Sequence, residues 1–221
     1  MSSIAIMQPY FFPYGGYFSL ASASDTFVFF DDVNFMKKGW INRNQLCNDI
    51  HIVVPLKKAS IHKKINEIEI IHEKKWRTKI LNSLKHCYHQ TPYFDDVYSL
   101  VESVIEPQYK SIADMARESV VRSSEYLGLN CQWEVSSTHY PKTNTKRGAQ
   151  RLQAITKEKQ SSYYYNPIGG IELYSKEDFL KHGIHLGFIS NNSMEKISIL
   201  DYMMRHPPGT IKKLINEYNI S

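Results

Sequence analysis

The sequence predicts an α/β fold: a mostly parallel, Rossmann-like sheet with helices on both faces. Short apolar runs, each too brief for a long helix, recur along the chain and end at polar residues or Pro/Gly turns. Stretches with apolar residues at helical spacing separate them. Alternation of this kind persists through the chain, as expected of a parallel, helix-covered sheet.

The opening stretch sets the pattern. Ile4-Ala5-Ile6-Met7 reads as a strand, Gln8 to Tyr17 as a loop dense in Pro, Gly and aromatics, and Asp25 to Asp32 as a second, β-rich run. The short amphipathic run between them makes a strand–helix–strand unit, which is parallel. His51 to Leu56 is a further strand stopped by Pro55, and Ile65 to Ile71 alternates more weakly. Together they suggest a small β excursion over residues 51–75. Helices follow at Lys75–His89, from Pro92, which suits a first helical position, and at Ser111–Leu127, where Gly128 supplies a C-cap. Cys131–Val135 reads as a strand ended by Ser136-Ser137-Thr138, and Thr145–Lys159 as a helix. Ser162–Tyr165 is a strand leading into the turn Asn166–Gly170. Ser175 and Ser198 open capping boxes around the strand Ile184–Ile189. A last helix over Thr210–Tyr218 makes residues 198–221 a helical C-terminal segment. A length of 221 residues suits one α/β domain over residues 1–221.

Composition narrows the classes. Three cysteines without metal spacing point to free thiols in a reducing compartment. No basic segment followed by a long apolar core opens the chain, and no apolar run reaches membrane-spanning length. The expectation is a cytoplasmic protein without membrane insertion and without a bound metal. The net charge of +5 is concentrated between Lys57 and Lys85, yet no nucleic-acid-binding module accompanies it, so nucleic acid is not an expected partner.

Parallel sheets bind ligands beyond the carboxyl ends of their strands. Gln8 ends the first strand; Asp31 and Asp32 end the second. Asp31 or Asp32 is therefore a candidate proton acceptor, and Arg43 offers a planar fork for phosphate or carboxylate. Neighbouring residues on a strand face opposite ways, so only one of the two aspartates needs to face a site. Tyr14, Gly16 and Tyr17 of the first loop, with Lys38, Trp40, Asn42 and Asn44, are candidate binding residues. Ser137 lies at a strand-to-helix connection suited to phosphate, and Gly169 and Gly170 lie where backbone approaches a ligand closely.

Met7 to Phe18, Phe27 to Phe35 and Gly39 to Asn44 closely resemble the WbqC-like protein family. The resemblance continues through Val54-Pro55-Leu56, Trp76, Tyr88, Pro92-Tyr93-Phe94, Tyr165 to Gly170 and Ser198 to Asp201, and so covers essentially the whole chain. It implies a role in O-antigen and other bacterial surface-polysaccharide biosynthesis: acyl or aminoacyl transfer that forms an amide on a nucleotide-linked amino sugar. The donor stays open among acyl-CoA, an acyl-carrier thioester, which would make an acyl carrier protein a partner, and ATP with a free acid. More distantly, Phe12 to Leu20 resembles the first loop of the HIGH-motif nucleotidyltransferases, with Tyr14 and Tyr17 in the places of two histidines. That resemblance implies an ATP-dependent ligase or nucleotidyltransferase as the alternative. A non-catalytic nucleotide-sugar or carrier-binding module is the third reading.

Overall fold

The computed structural model describes residues 2–221. In chain order, β1 (Ser3–Met7), α1 (Gly15–Ser22) and β2 (Thr26–Phe29) form the first parallel unit. Two antiparallel hairpins follow, β3–β4 (Arg43–Gln45, His51–Val53) and β5–β6 (Leu56–Lys57, Glu69–Ile70). Then come α2 (Lys74–Tyr88), α3 (Phe94–Ile105) and α4 (Ile112–Tyr126). After these lie β7 (Gln132–Val135), α5 (Ser136–His139), α6 (Gly148–Glu158) and β8 (Tyr163–Pro167). The chain continues through α7 (Lys176–Leu180), β9 (His185–Ser190), α8 (Ile199–Arg205), α9 (Pro208–Ile215) and β10 (Asn219–Ile220).

The central sheet has the order β10-β9-β8-β1-β2-β7, parallel throughout except at β10. Ile4, Ala5 and Ile6 of β1 are all buried, as a central parallel strand covered on both faces requires. Side chains alternate between the faces. Ala5, Phe27 and Phe29 join a core shared with α1, α2, α3, α4, α8 and α9. Ile4, Ile6 and Val28 face a second core, built with Leu152 and Ile155 of α6 and Phe179 of α7. Helices thus cover both faces, as the alternation predicts.

On the larger face, Phe27 lies 5.2 Å from Tyr17 and 5.5 Å from Trp133, ring centre to ring centre, and Trp133 also stacks on Phe29. Aromatic pairs at these distances add to what area burial alone provides. Local signals hold where they are strong. Ser111 caps α4 in a reciprocal box with Asp114, and Gly128 follows that helix in the left-handed region at φ +63°. The structure departs from the sequence pattern in three places. Ser136–His139 is a helical turn, the Ile65 stretch is a 3-10 turn leading into β6, and the last residues form the edge strand β10. In each case pairing or capping by distant segments overrides a weak local signal.

Phe27→Ala removes the fully buried centre of this aromatic row. The expected loss is about 3–5 kcal/mol of stability, read as a lower urea midpoint at unchanged slope.

Candidate active site

The chain leaves β1 through α1 toward β2, and returns on the opposite edge of β1 as β8. The connections diverge there, and a cavity of about 610 Å³ opens beyond the strand ends, a size typical of small-ligand sites. Met7 and Gln8 contribute from the end of β1, and Phe30 and Val33 from the segment after β2. Asn166 to Gly170 line it from the end of β8, and Ile189 to Asn192 from the end of β9. Tyr10, Tyr14, Trp40 and Tyr174 add aromatic walls, and Lys196 stands at the rim.

Close approach dictates two glycines. A methyl group at Gly16 would sit 2.6 Å from the Tyr14 ring, and one at Gly170 would collide with Oδ1 of Asn166. Asn166 is buried and donates through Nδ2 to the Tyr164 hydroxyl at 2.6 Å. The loop after β1 is held in an unusual shape: Phe12 has φ +42°, in the left-handed region that costs an aromatic residue energy. Its N–H donates to Ser119 Oγ (2.9 Å), and its carbonyl accepts from Asn44 Nδ2 (2.7 Å) and Ser198 Oγ (2.8 Å). Phe11 N–H donates to the carbonyl of Trp40 at 3.1 Å, which places Trp40 across from the start of the loop.

Electrostatically the cavity is simple. Lys196 is the charged residue of its lining, is exposed, and has no ion pair among the described residues. The N-terminus of α1 opens at Tyr14 with no side-chain cap and no acidic residue in its first turn, so its dipole is uncompensated. Burial pushes the Tyr10 phenol up to about 12, helped by neighbouring Tyr14, and burial also raises Tyr14 and Tyr174. All three are hydrogen-bond donors at neutral pH.

Of the residues picked out in sequence, Gln8, Tyr14, Gly16, Trp40, Gly169 and Gly170 come together on this cavity. The others do not line it. Tyr17 is buried and donates to the carbonyl of Gln8 at 2.8 Å. Asn42 and Asn44 turn their amides onto the backbone of Val54 and of Phe11 and Phe12. Arg43 is half-buried on β3, its Nε without a hydrogen bond among the described residues, and Lys38 is exposed at φ +63°. Asn166, in the turn that the sequence places after a strand, lines the cavity too, and so do Asn191 and Lys196, which the pattern did not pick out. The strand-end rule that selects Gln8 finds Asn166 and Asn191 once β8 is placed beside β1 and β9 beside β8; Lys196 lies in a loop without periodicity.

Asp31 and Asp32 point away from the cavity, although Phe30 and Val33 on either side reach it. Both are buried, and all four carboxylate oxygens accept hydrogen bonds. Asp31 accepts from the Ser137 N–H (3.0 Å) and hydroxyl (2.7 Å) and from Asn66 Nδ2 (3.1 Å). Asp32 pairs with buried Arg151 at 2.5 Å, and Ser136 Oγ bridges the two acids at 3.0 and 2.5 Å. Arg151 also lies over the Phe30 ring, 4.7 Å from its centre. This is the geometry of a brace behind the cavity wall; Ser137 belongs to it as well. Arg151→Ala leaves a buried carboxylate without its cation. The expected cost is about 3–5 kcal/mol in chemical denaturation.

Comparison with known proteins places the chain. Uncharacterized protein Rv1507c of Mycobacterium tuberculosis is 27% identical over 135 residues, 59% of this chain and 58% of that protein. The chain therefore matches less than two thirds of that relative's length. Among the described residues, no helix is long and apolar enough to cross a membrane. No solved structure matches the chain. The model of the WbqC-like protein family matches residues 8–213, from the first cavity residue after β1 into α9, and the chain belongs to that family.

Proposed function

We propose that the chain is an acyltransferase that forms an amide on the amine of a nucleotide-linked sugar bound in the cavity beyond β1 and β8. The observation that carries this reading is the composition of that cavity. It combines an uncapped helix N-terminus, one unpaired lysine, aromatic walls and no carboxylate. A sugar diphosphate needs N–H and cationic contacts, which the start of α1 and Lys196 supply. Trp40 and Tyr174 offer faces for a base or sugar ring, and Gln8 and Asn166 present amides to hydroxyls.

The same composition bears on the reaction. The sugar amine must be neutral to attack, and both burial and a nearby Lys196 cation favour its neutral form. Attack on an acyl donor places negative charge on the carbonyl oxygen, toward which the protonated phenols of Tyr10 and Tyr14 can donate. The amine then sheds a proton. With no carboxylate on the walls, a thioester donor suits the site: the C–N bond forms as the C–S bond breaks, and the departing thiolate, a stronger base than a carboxylate, takes the proton. Asp31 and Asp32 would act from behind, as positioning residues for Phe30 and Val33. The ATP-dependent reading would use Tyr14 and Tyr17 together at the phosphates; Tyr17 is turned into the core, which favours the thioester reading.

Incubation with a UDP-linked amino sugar and an acyl thioester, followed by mass spectrometry, tests the proposal. The expected product is heavier by one acyl group, with one equivalent of thiol released. No mass gain with acyl-CoA or carrier-borne donors, together with no nucleotide-sugar binding by calorimetry, would reject it. Lys196→Ala should weaken nucleotide-sugar binding about tenfold, or ~1.4 kcal/mol, in the same calorimetry.

A further inference from the structure

A second electropositive feature lies away from the cavity lining. Helix α2 contains Lys74, Lys75, Arg77, Lys79 and Lys85 and no acidic residue. Arg77 is buried, donating to the carbonyls of Ile105 and Glu73. The four lysines are exposed and form no ion pair among the described residues. Helix α4 differs: Arg117 and Arg122 pair there with Asp114, Glu118 and Glu125. Lys74 and Lys75 also occupy the first turn of α2, the end where the dipole disfavours cations. Folding alone gives no reason for such an arrangement.

Position adds shape to charge. Lys75, Lys79, Asn82 and His86 recur at helical spacing on the side opposite buried Trp76, Ile80 and Leu84. They line a surface groove of about 640 Å³, together with Ile50 from the β3–β4 hairpin. From Lys75 to His86 the stripe runs about 16 Å along the helix axis, roughly three turns. A complementary helix of that length matches it, with carboxylates against the lysines and one apolar residue against Ile50. No Trp, Tyr or Phe lines the groove, so successive bases of a single strand would find only the His86 imidazole to stack on. Exposed lysines are strongly hydrated point charges, which suits reversible, salt-sensitive pairing with carboxylates.

We propose that the exposed face of α2 docks an acidic helix of a partner protein. A fluorescein-labelled helical peptide of about four turns, with Glu and Asp along one face, is the probe. Its affinity for the full chain is measured by anisotropy at low and at raised salt. The patterned peptide should bind at least tenfold more tightly than one of equal composition with its acids spread around the helix. It should also bind more tightly than an oligothymidylate of equal charge. Lys75→Glu with Lys79→Glu should weaken binding at least tenfold, while Lys142→Glu with Lys146→Glu should leave it within twofold. Far-ultraviolet circular dichroism confirms that each variant is folded. Equal binding of the two peptides, tighter binding of the oligonucleotide, or indifference to the α2 reversal would each overturn the proposal.

Discussion

Strand β1 is hydrogen-bonded along both edges, to β2 on one side and β8 on the other, and covered on both faces. A strand so enclosed tolerates only apolar side chains, because an unpaired polar group there would lose its water without replacement. Ile4 to Ile6 obey this, and Gln8 is the first polar side chain to appear as the chain escapes the sheet. The two edges of β1 are filled by connections running opposite ways, so no segment closes the space above its end. The cavity, the opening of α1 toward it and the meeting of the β8 and β9 ends all follow from that one placement.

The wall on the β2 side needs its own support. Two carboxylates leave the sheet in tandem and are buried with a single guanidinium, which by itself leaves one negative charge uncompensated by a cation. The remaining acceptor capacity is met by neutral donors: the hydroxyls of Ser136 and Ser137, the Ser137 N–H and the Asn66 amide. Burying such a cluster contributes little net stability compared with an apolar replacement, but breaking it is costly. Its members come from the turn after β2, the 3-10 turn near Asn66, α5 and α6. What it provides is location, and Phe30, stacked against Arg151, inherits that rigidity at the cavity.

Much of the sheet was legible because burial on both faces writes itself as uninterrupted apolar runs, at Ile4–Met7 and Phe27–Phe30. Helix α4 was legible because Ser111 and Gly128 punctuate it. The strand-end rule also located Gln8 and, through the Pro/Gly turn, Gly169 and Gly170. It went astray at Asp31 and Asp32, where the expectation of opposite faces assumes a strand. β2 stops at Phe29, and in the turn beyond it both acids reach the same serine. Arg43, Asn42 and Asn44 look like a polar cluster on paper. In space they sit at the β3–β4 hairpin, where the Asn42 amide bonds the Val54 carbonyl and the Asn44 amide bonds the carbonyls of Phe11 and Phe12 in the loop after β1. Tyr17 follows the inward face of α1. Lys196 carries no local signal at all, since its relevance depends on β9 lying next to β8.

The fate of the acids has an electrostatic consequence. One strand over from β2, Glu134 is also enclosed. Burial alone would raise its carboxyl, but hydrogen bonds from Lys159 and Tyr140 outweigh that and keep it below the usual range. Asp31 and Asp32 have partners on α5 and α6, and Glu134 has partners just beyond the ends of those two helices. None is left facing the cavity, so an incoming anion meets the α1 terminus and Lys196 without opposing negative charge on the walls. Attraction between unit charges falls steeply as the effective dielectric constant rises, and one wall carboxylate within about 4 Å of the lysine would largely cancel its pull. With the acids retired behind the wall, the charge presented at the cavity is that of a single lysine and a helix end.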